Sequence, residues 1–206
     1  MTPRTLSLVP WLTLLSLPAA GLAGQALAQE ETATAVFAGG CFWCVEEAFD
    51  KVEGVVDTTS GFSGGHVENP DYKEVVKGDT GHAESVKVEY EPAVVDYEEL
   101  LHVFWRNIDP FVEDRQFCDA GEPYRTVIFT MNEEQRSLAE AEKEALSERF
   151  DREIATQIVD FEAFYPADGF HQNYYQRNPA RYNFYKSACG RVDRLVEIWG
   201  EEAGGV

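Results

Sequence analysis

Positive charge is scarce in this sequence. Its 206 residues hold 17 Lys plus Arg against 37 Asp plus Glu, a net charge of −20, and no long Lys/Arg run gathers the cations together. A field of that sign repels phosphate backbones and anionic lipid, so nucleic acid and a peripheral membrane surface are poor partners. Internal repeats, low-complexity tracts and inter-domain linkers are missing as well. No coiled-coil heptad is visible either, and a monomer is expected. Cysteine is sparse, at four. That is too few for a fold stapled by disulfides, which turns attention to redox chemistry instead. Aromatic residues, by contrast, are plentiful, with 13 Phe, 9 Tyr and 4 Trp available to line a pocket.

The N-terminus is the one long uncharged stretch. Arg4 is followed by Thr5 to Ala28 without a charge, and Ala26-Leu27-Ala28 places small residues just before the acidic start at Glu30-Glu31. This pattern predicts a secretory signal peptide over residues 1–28, cleaved before Gln29, and an exported, periplasmic protein with no stable membrane association after cleavage. The run is also long enough to span a bilayer, so a retained anchor is the alternative. Residues 29–206 then form a single domain of net charge −21 that carries all four cysteines. A chain of that length buries roughly two thirds of the surface its unfolded form exposes.

Strand and helix patterns alternate along it. Thr32 to Ala38 reads as a strand running into Gly39-Gly40, and Val45, Ala48, Phe49 and Val52 recur at helical spacing up to Gly54. Val55 to Phe62 is strand-like, and residues 66–82 read as a long surface loop. Ala83 to Tyr90 alternates, with Val86, Val88 and Tyr90 on one face. Asp96 with Glu99 forms a capping box before the stripe Tyr97, Leu100, Leu101, Phe104, Trp105 and Ile108, and Thr130 with Glu133 forms a second. Ile154, Thr156 and Ile158 mark another strand. The expected fold is α+β: a two-layer sandwich of a central mixed sheet with helices packed on it, and a long irregular C-terminal segment.

The chemistry concentrates in Gly39-Gly40-Cys41-Phe42-Trp43-Cys44. A strand-to-helix turn puts Cys41 at the first helical turn, where free N–H groups and the helix dipole favour an anion. A lowered thiol pKa and a ready nucleophile are expected there, against the alternative of an inert buried cysteine. Cys41 and Cys44 also form a C-x-x-C pair, either a dithiol redox site or half of a metal site. Val45 stands where haem attachment needs histidine. Glu84 shares strand parity with Val86, Val88 and Tyr90, so its carboxyl is expected to face the packed side, where burial keeps it protonated as a general acid. A strand-end glutamate turned to solvent is the other reading. Tyr72, Tyr124, Asp119, His171 and His82 are weaker candidates, each open to a structural role.

Together these segments resemble the A-type peptide methionine-sulfoxide reductases. Gly40-Cys41-Phe42-Trp43, Asn69-Pro70-Asp71-Tyr72, Gly81-His82-Ala83-Glu84, Tyr124-Arg125 and Gly169-Phe170-His171-Gln172-Asn173-Tyr174 follow that family's blocks in order, over about residues 34–200. The resemblance implies reduction of methionine (S)-sulfoxide, in oxidised proteins or peptides and free, through a cysteine sulfenic acid and an intramolecular disulfide. It implies Cys41 as nucleophile, and Phe42 and Trp43 as walls for the S-methyl group. Glu84 is implied as acid, with Tyr72, Tyr124 and Asp119 hydrogen-bonding around the oxygen and water. No prosthetic cofactor or metal is implied, and electrons come from thioredoxin or a thioredoxin-like dithiol. Two departures stand out. Cys44 replaces the more usual glycine, and Pro123 precedes Tyr124 where glutamine is commoner. Cys189 is the preferred resolving thiol, Cys44 the alternative, and Cys118 a buried bystander. A general C-x-x-C thiol–disulfide oxidoreductase, with Glu84 dispensable, is the competing function, and a zinc-stabilised interaction domain is a third.

Overall fold

The computed structural model describes Met1 and residues 32–204. The expected signal peptide over residues 1–28 therefore lies outside the described residues, Met1 apart. Strand β1 (Ala33–Gly39) leads into helix α1 (Phe42–Phe49), then β2 (Val55–Ser63), α2 (Tyr72–Val76), β3 (Ala83–Tyr90) and α3 (Tyr97–Arg106). A hairpin of two-residue strands follows, β4 (Arg115–Gln116) and β5 (Asp119–Ala120), with a 3-10 turn at Glu122–Tyr124. Then come β6 (Thr126–Thr130), α4 (Glu133–Phe150), β7 (Gln157–Asp160) and β8 (Phe164–Pro166). Helices α5 (Tyr174–Arg177), α6 (Pro179–Ala188) and α7 (Arg191–Trp199) follow, with a 3-10 turn at Gly200–Glu202 last among the described residues.

Six strands form one sheet in the order β7-β6-β1-β3-β2-β8, antiparallel except for the β6–β7 pair. The pleat of β1 divides the core. Ala35 and Phe37 face the main apolar cluster, while Val36 and Ala38 join a smaller one with Ala83, Val127 and Phe129. Helices α1 and α3 cover the first face. The α3 stripe is buried as its spacing predicts: Leu100, Leu101, Phe104, Trp105 and Ile108 are each at most 1% exposed. Burying such side chains stabilises the fold by about 1.5–3 kcal/mol apiece. This is the expected α+β sandwich.

Local details differ from the sequence pattern. The cap of α4 is Asn132, whose side chain accepts from Gln135 N–H at 2.9 Å, rather than Thr130. At α3, Asp96 accepts from Glu99 N–H at 2.8 Å. A reciprocal capping box does occur, but at Asp71 and Glu74, and it starts α2 inside the stretch that reads as loop. The strand expected from Ile154 begins only at Gln157, because Ala155 N–H pairs with Pro110 C=O instead of a strand neighbour. The C-terminal segment is a chain of short helices, broken at Asn178 and Gly190.

Candidate active site

Cys41 is the N-cap of α1, reached through Gly40 at φ +81°. A Cβ on Gly40 would lie 2.4 Å from the Gln116 Cβ, so this glycine is what lets the β4–β5 hairpin close against the turn. Gln116 is fixed in turn by both ends of its side-chain amide, Oε1 accepting from Asp109 N–H at 2.8 Å and Nε2 donating to Asp109 C=O at 2.7 Å.

Glu84 comes from β3 and is 1% exposed. Its Oε2 accepts the Phe42 N–H at 3.0 Å, one of the free donors at the start of α1. Burial nevertheless dominates, aided by the negative charges of Asp119 and Cys44, and pushes its pKa up to about 8. At neutral pH the carboxyl keeps its proton.

The two thiols divide differently from the sequence expectation. Cys41 is 7% exposed, and its pKa is raised, first by burial, then by its hydrogen bond and charge interaction with Cys44 and by Glu84. The expected acidification of Cys41 fails because burial, and after it the neighbouring Cys44 and Glu84, disfavour an anion there. Cys44, 3% exposed, is lowered to about 6, first by the hydrogen bond from Cys41 and against its own burial, with Arg191, Tyr182 and Lys186 assisting. The two sulfurs thus shift in opposite directions, Cys41 toward the thiol and Cys44 toward the thiolate.

Phenols and rings enclose the pair. Tyr72, at the start of α2, and Tyr124, in the 3-10 turn, hydrogen-bond to each other beside Glu84 and Cys41. Burial holds the Tyr72 hydroxyl protonated, with a pKa pushed up to about 12, and raises Tyr124 too. Phe42 packs against Tyr72, with centroids 6.2 Å apart, and against His171 at 5.2 Å. Trp43 stacks on Tyr174 at 3.7 Å and 9°. Phe42 is itself buried, so the more open part of this wall is Trp43. His171, 6% exposed, is a member of the aromatic wall whose pKa burial lowers. His82 serves structure instead, its Nδ1 accepting from Gly65 N–H at 3.1 Å and its Nε2 donating to Val67 C=O at 2.8 Å.

Asp119 sits at the site as expected, but its partner was not foreseen. The Tyr185 hydroxyl donates to Asp119 Oδ2 and also lies in hydrogen-bonding reach of Cys41. One turn earlier Tyr182 reaches Cys44 and donates to Glu47 Oε2 at 2.6 Å. The i, i+3 spacing of Tyr182 and Tyr185 behind Pro179 was the available signal for this inward face of α6. Cys189 caps the same helix and is bonded to Cys118, so it is not the sulfur beside Cys41 in this state; Cys44 is. Cys118, expected to be buried, is exposed and is half of that disulfide.

The arrangement is a buried thiol beside a protonated carboxyl, two phenolic donors and an aromatic wall. The profile of the peptide methionine sulfoxide reductases matches residues 33–203. The chain belongs to that family. It is 46% identical over 173 residues to the peptide methionine sulfoxide reductase MsrA of Bacillus subtilis, covering 83% of this chain and 98% of that protein. Among solved structures it resembles Mxr1 of Saccharomyces cerevisiae in reduced form, at 31% identity and a TM-score of 0.69, covering 73% of this chain and 87% of that one. It also resembles methionine sulfoxide reductase A of Corynebacterium diphtheriae, at 33% identity and 0.67, covering 74% and 77%. Mxr1 has also been solved in complex with Trx2.

Proposed function

We propose that Cys41, Glu84, Tyr72, Tyr124 and Cys44 carry out the thiol-dependent reduction of methionine (S)-sulfoxide that defines this reductase family. The observation that carries the reading is the Glu84 carboxyl, protonated at neutral pH and bonded to Phe42 N–H at 3.0 Å, at the helix start that bears Cys41. A sulfoxide oxygen leaves poorly until it is protonated, and negative charge grows on it as sulfur is attacked. A neutral carboxylic acid and two phenols supply stabilisation where that charge develops. Trp43 and Phe42 give the S-methyl group a desolvated wall.

Cys41 Sγ attacks the sulfoxide sulfur as its proton passes to the Cys44 thiolate, and Glu84 delivers a proton to the oxygen. Methionine leaves, and Cys41 is left as a sulfenic acid. Cys44 then attacks Cys41 Sγ; the S–S bond forms, and the hydroxyl departs as water with the Cys44 proton. Cys44 takes this role, rather than Cys189, because it already shares a hydrogen bond with Cys41. A dithiol protein of the thioredoxin type restores the thiols, as the complex of Mxr1 with Trx2 supports. A general C-x-x-C oxidoreductase needs an open dithiol, and 3% exposure of Cys44 argues against it.

The test is a count of methionine formed from stereochemically pure sulfoxide by prereduced enzyme. Cys41→Ser is expected to form none. Cys44→Ser is expected to form about one per enzyme and then stall with a dithiol donor, since its sulfenic acid has no adjacent thiol. Sustained turnover by Cys44→Ser overturns its assignment as resolving thiol. For the N-terminus we propose export with cleavage before Gln29, supported by the uncharged run to Ala28. Sequencing the N-terminus of the protein recovered from the periplasm checks this, and an intact Met1 there refutes it.

A further inference from the structure

Phe170 is 57% exposed, apolar area left in water. Single exposed apolar residues are ordinary on a protein surface, but this one continues the wall of the site. Its ring meets His171 edge-on, with centroids 5.1 Å apart at 89°, and meets Tyr174 at 5.4 Å and 62°. Tyr174 is the ring stacked on Trp43 at 3.7 Å, and His171 lies 5.2 Å from Phe42 and 4.3 Å from Tyr72. A continuous run of rings therefore leads from the start of α1 out to a side chain open to solvent.

The turn that carries Phe170 is pinned. His171 N–H donates to Asp168 C=O at 2.8 Å, and Arg177 donates to Gly169 C=O. Gln172 ties the same turn to β2, donating to Ser60 C=O and accepting from Ser60 N–H, both at 2.8 Å. Space is open beside it: a Cβ on Gly169 would meet nothing within 4 Å. A ring presented on a fixed turn gives up little freedom when another side chain packs on it.

When the oxidised methionine belongs to a polypeptide, the chain on either side of it must cross the rim of the site. Two ring contacts, of 5.4 and 3.7 Å, separate Phe170 from Trp43. An extended chain advances about 3.3 Å per residue, so a side chain two or three places from the methionine reaches Phe170. The open part of a phenyl ring offers it apolar contact and no hydrogen bond.

We propose that Phe170 is a specificity-determining subsite, which takes an apolar or aromatic side chain two or three places from the oxidised methionine in a polypeptide substrate. The proposal rests on the reading of Cys41 and Glu84 as the reducing site, and it concerns which segments that site accepts.

Full-chain wild type, Phe170→Ala and Phe170→Tyr are compared with dithiothreitol as reductant. The substrates are N-acetyl-methionine (S)-sulfoxide amide, a peptide whose sulfoxide is flanked by Gly and Ser alone, and that peptide with one Phe two or three places before or after the sulfoxide. In wild type, kcat/KM for at least one Phe-bearing peptide is expected to exceed that for the Gly-Ser peptide by about threefold to tenfold, the worth of one aromatic pair, with the gain in KM. In Phe170→Ala the ratio is expected to fall to about one, and Phe170→Tyr is expected to restore it. No preference in wild type, or a preference kept by Phe170→Ala, overturns the subsite. Equal loss by Phe170→Ala on the blocked amino acid and on every peptide also overturns it, because the ring then supports Trp43 and Tyr174 rather than meeting the substrate. No turnover of any substrate by wild type overturns the reading of Cys41 and Glu84, and the subsite with it.

Discussion

The sheet with α3 and the C-terminal helices are both attached to α1, yet by different physics. Beneath α3 the contact is hydrocarbon: Phe37, Leu100, Leu101, Phe104 and Trp105 interlock at no more than 1% exposure. The C-terminal segment packs rings as well, Tyr174 on Trp43 and Trp199 in the main core, and adds a set of polar bonds to carboxylates. Glu47 on α1 accepts from Tyr182 at 2.6 Å and Lys186 at 2.7 Å, and Asp50 accepts from Tyr175 at 2.8 Å. Asp119 holds Tyr185, and Asp109 holds Arg194 at 2.7 Å. Apolar packing is indifferent to redox state and pH, whereas each polar fastening depends on one geometry and one protonation state. The sheet half therefore supplies the acid and the start of α1, and the C-terminal half supplies Tyr182 and Tyr185 beside the sulfurs.

Glu84 belongs to the sheet half but does the work of the site, and it gives the largest expected effect. Glu84→Gln keeps an acceptor for Phe42 N–H but loses the proton. The single-turnover rate should fall by about 10²–10⁴, the usual worth of a positioned general acid. Wild-type activity should decline as pH rises past about 8, and the variant should lack that limb. Stability should move the other way. A pKa raised from the ordinary carboxyl range means that the folded state holds the proton longer, so wild-type stability is present at low pH and is lost as pH rises through about 8. Urea unfolding at pH 8 should therefore find Glu84→Gln the more stable protein. If the variant is both as fast and no more stable, the buried acid is misassigned.

Leu101→Ala sharpens the contrast from the packing side. The side chain is fully buried in the α3 stripe, and its truncation should cost about 2–5 kcal/mol in equilibrium unfolding. The single-turnover rate of the folded fraction should stay near wild type, because no polar contact of the site passes through α3. A cost below that range would mean that the core relaxes into the space, and a fall in rate would mean that the two halves are coupled.

What the sequence made legible follows the same division. The α3 stripe and the parity of Glu84 are local periodicities, and the structure has both where spacing puts them. The C-terminal fastenings were not legible, since Tyr182 finds Glu47 across 135 residues and Cys118 finds Cys189 across 71. No spacing rule reaches that far. Cys41 differs from its expectation for a subtler reason: its place at the helix start was right, but spacing does not show how deeply the sulfur is buried or that Cys44 and Glu84 lie against it. The α4 cap turns on a competition between two uses of one side chain. Thr130 is spent on β6, where its hydroxyl donates to Val159 C=O, which leaves Asn132 to close the helix.

The smallest effect bears most directly on the difference between the halves. Burial raises the Glu47 pKa, but its bonds to Lys186, Tyr182 and Lys51 outweigh that and lower it. A lowered carboxyl contributes stability that is present above its unfolded pKa and is lost as pH falls through the folded value. Acid should therefore loosen α6 first. Amide exchange of residues 179–189 should quicken as pH drops below about 4, the ordinary carboxyl range, while β1 and β3 stay protected. Tyr182→Phe removes the bond to Glu47 but keeps the ring against Cys44, and should destabilise the protein by about 1–3 kcal/mol, as for other hydrogen bonds to a charged group. The excess exchange should be confined to α6 and α7. Uniform quickening across the sheet would show that the segment and the core unfold as one unit, and the contrast drawn between them would fail.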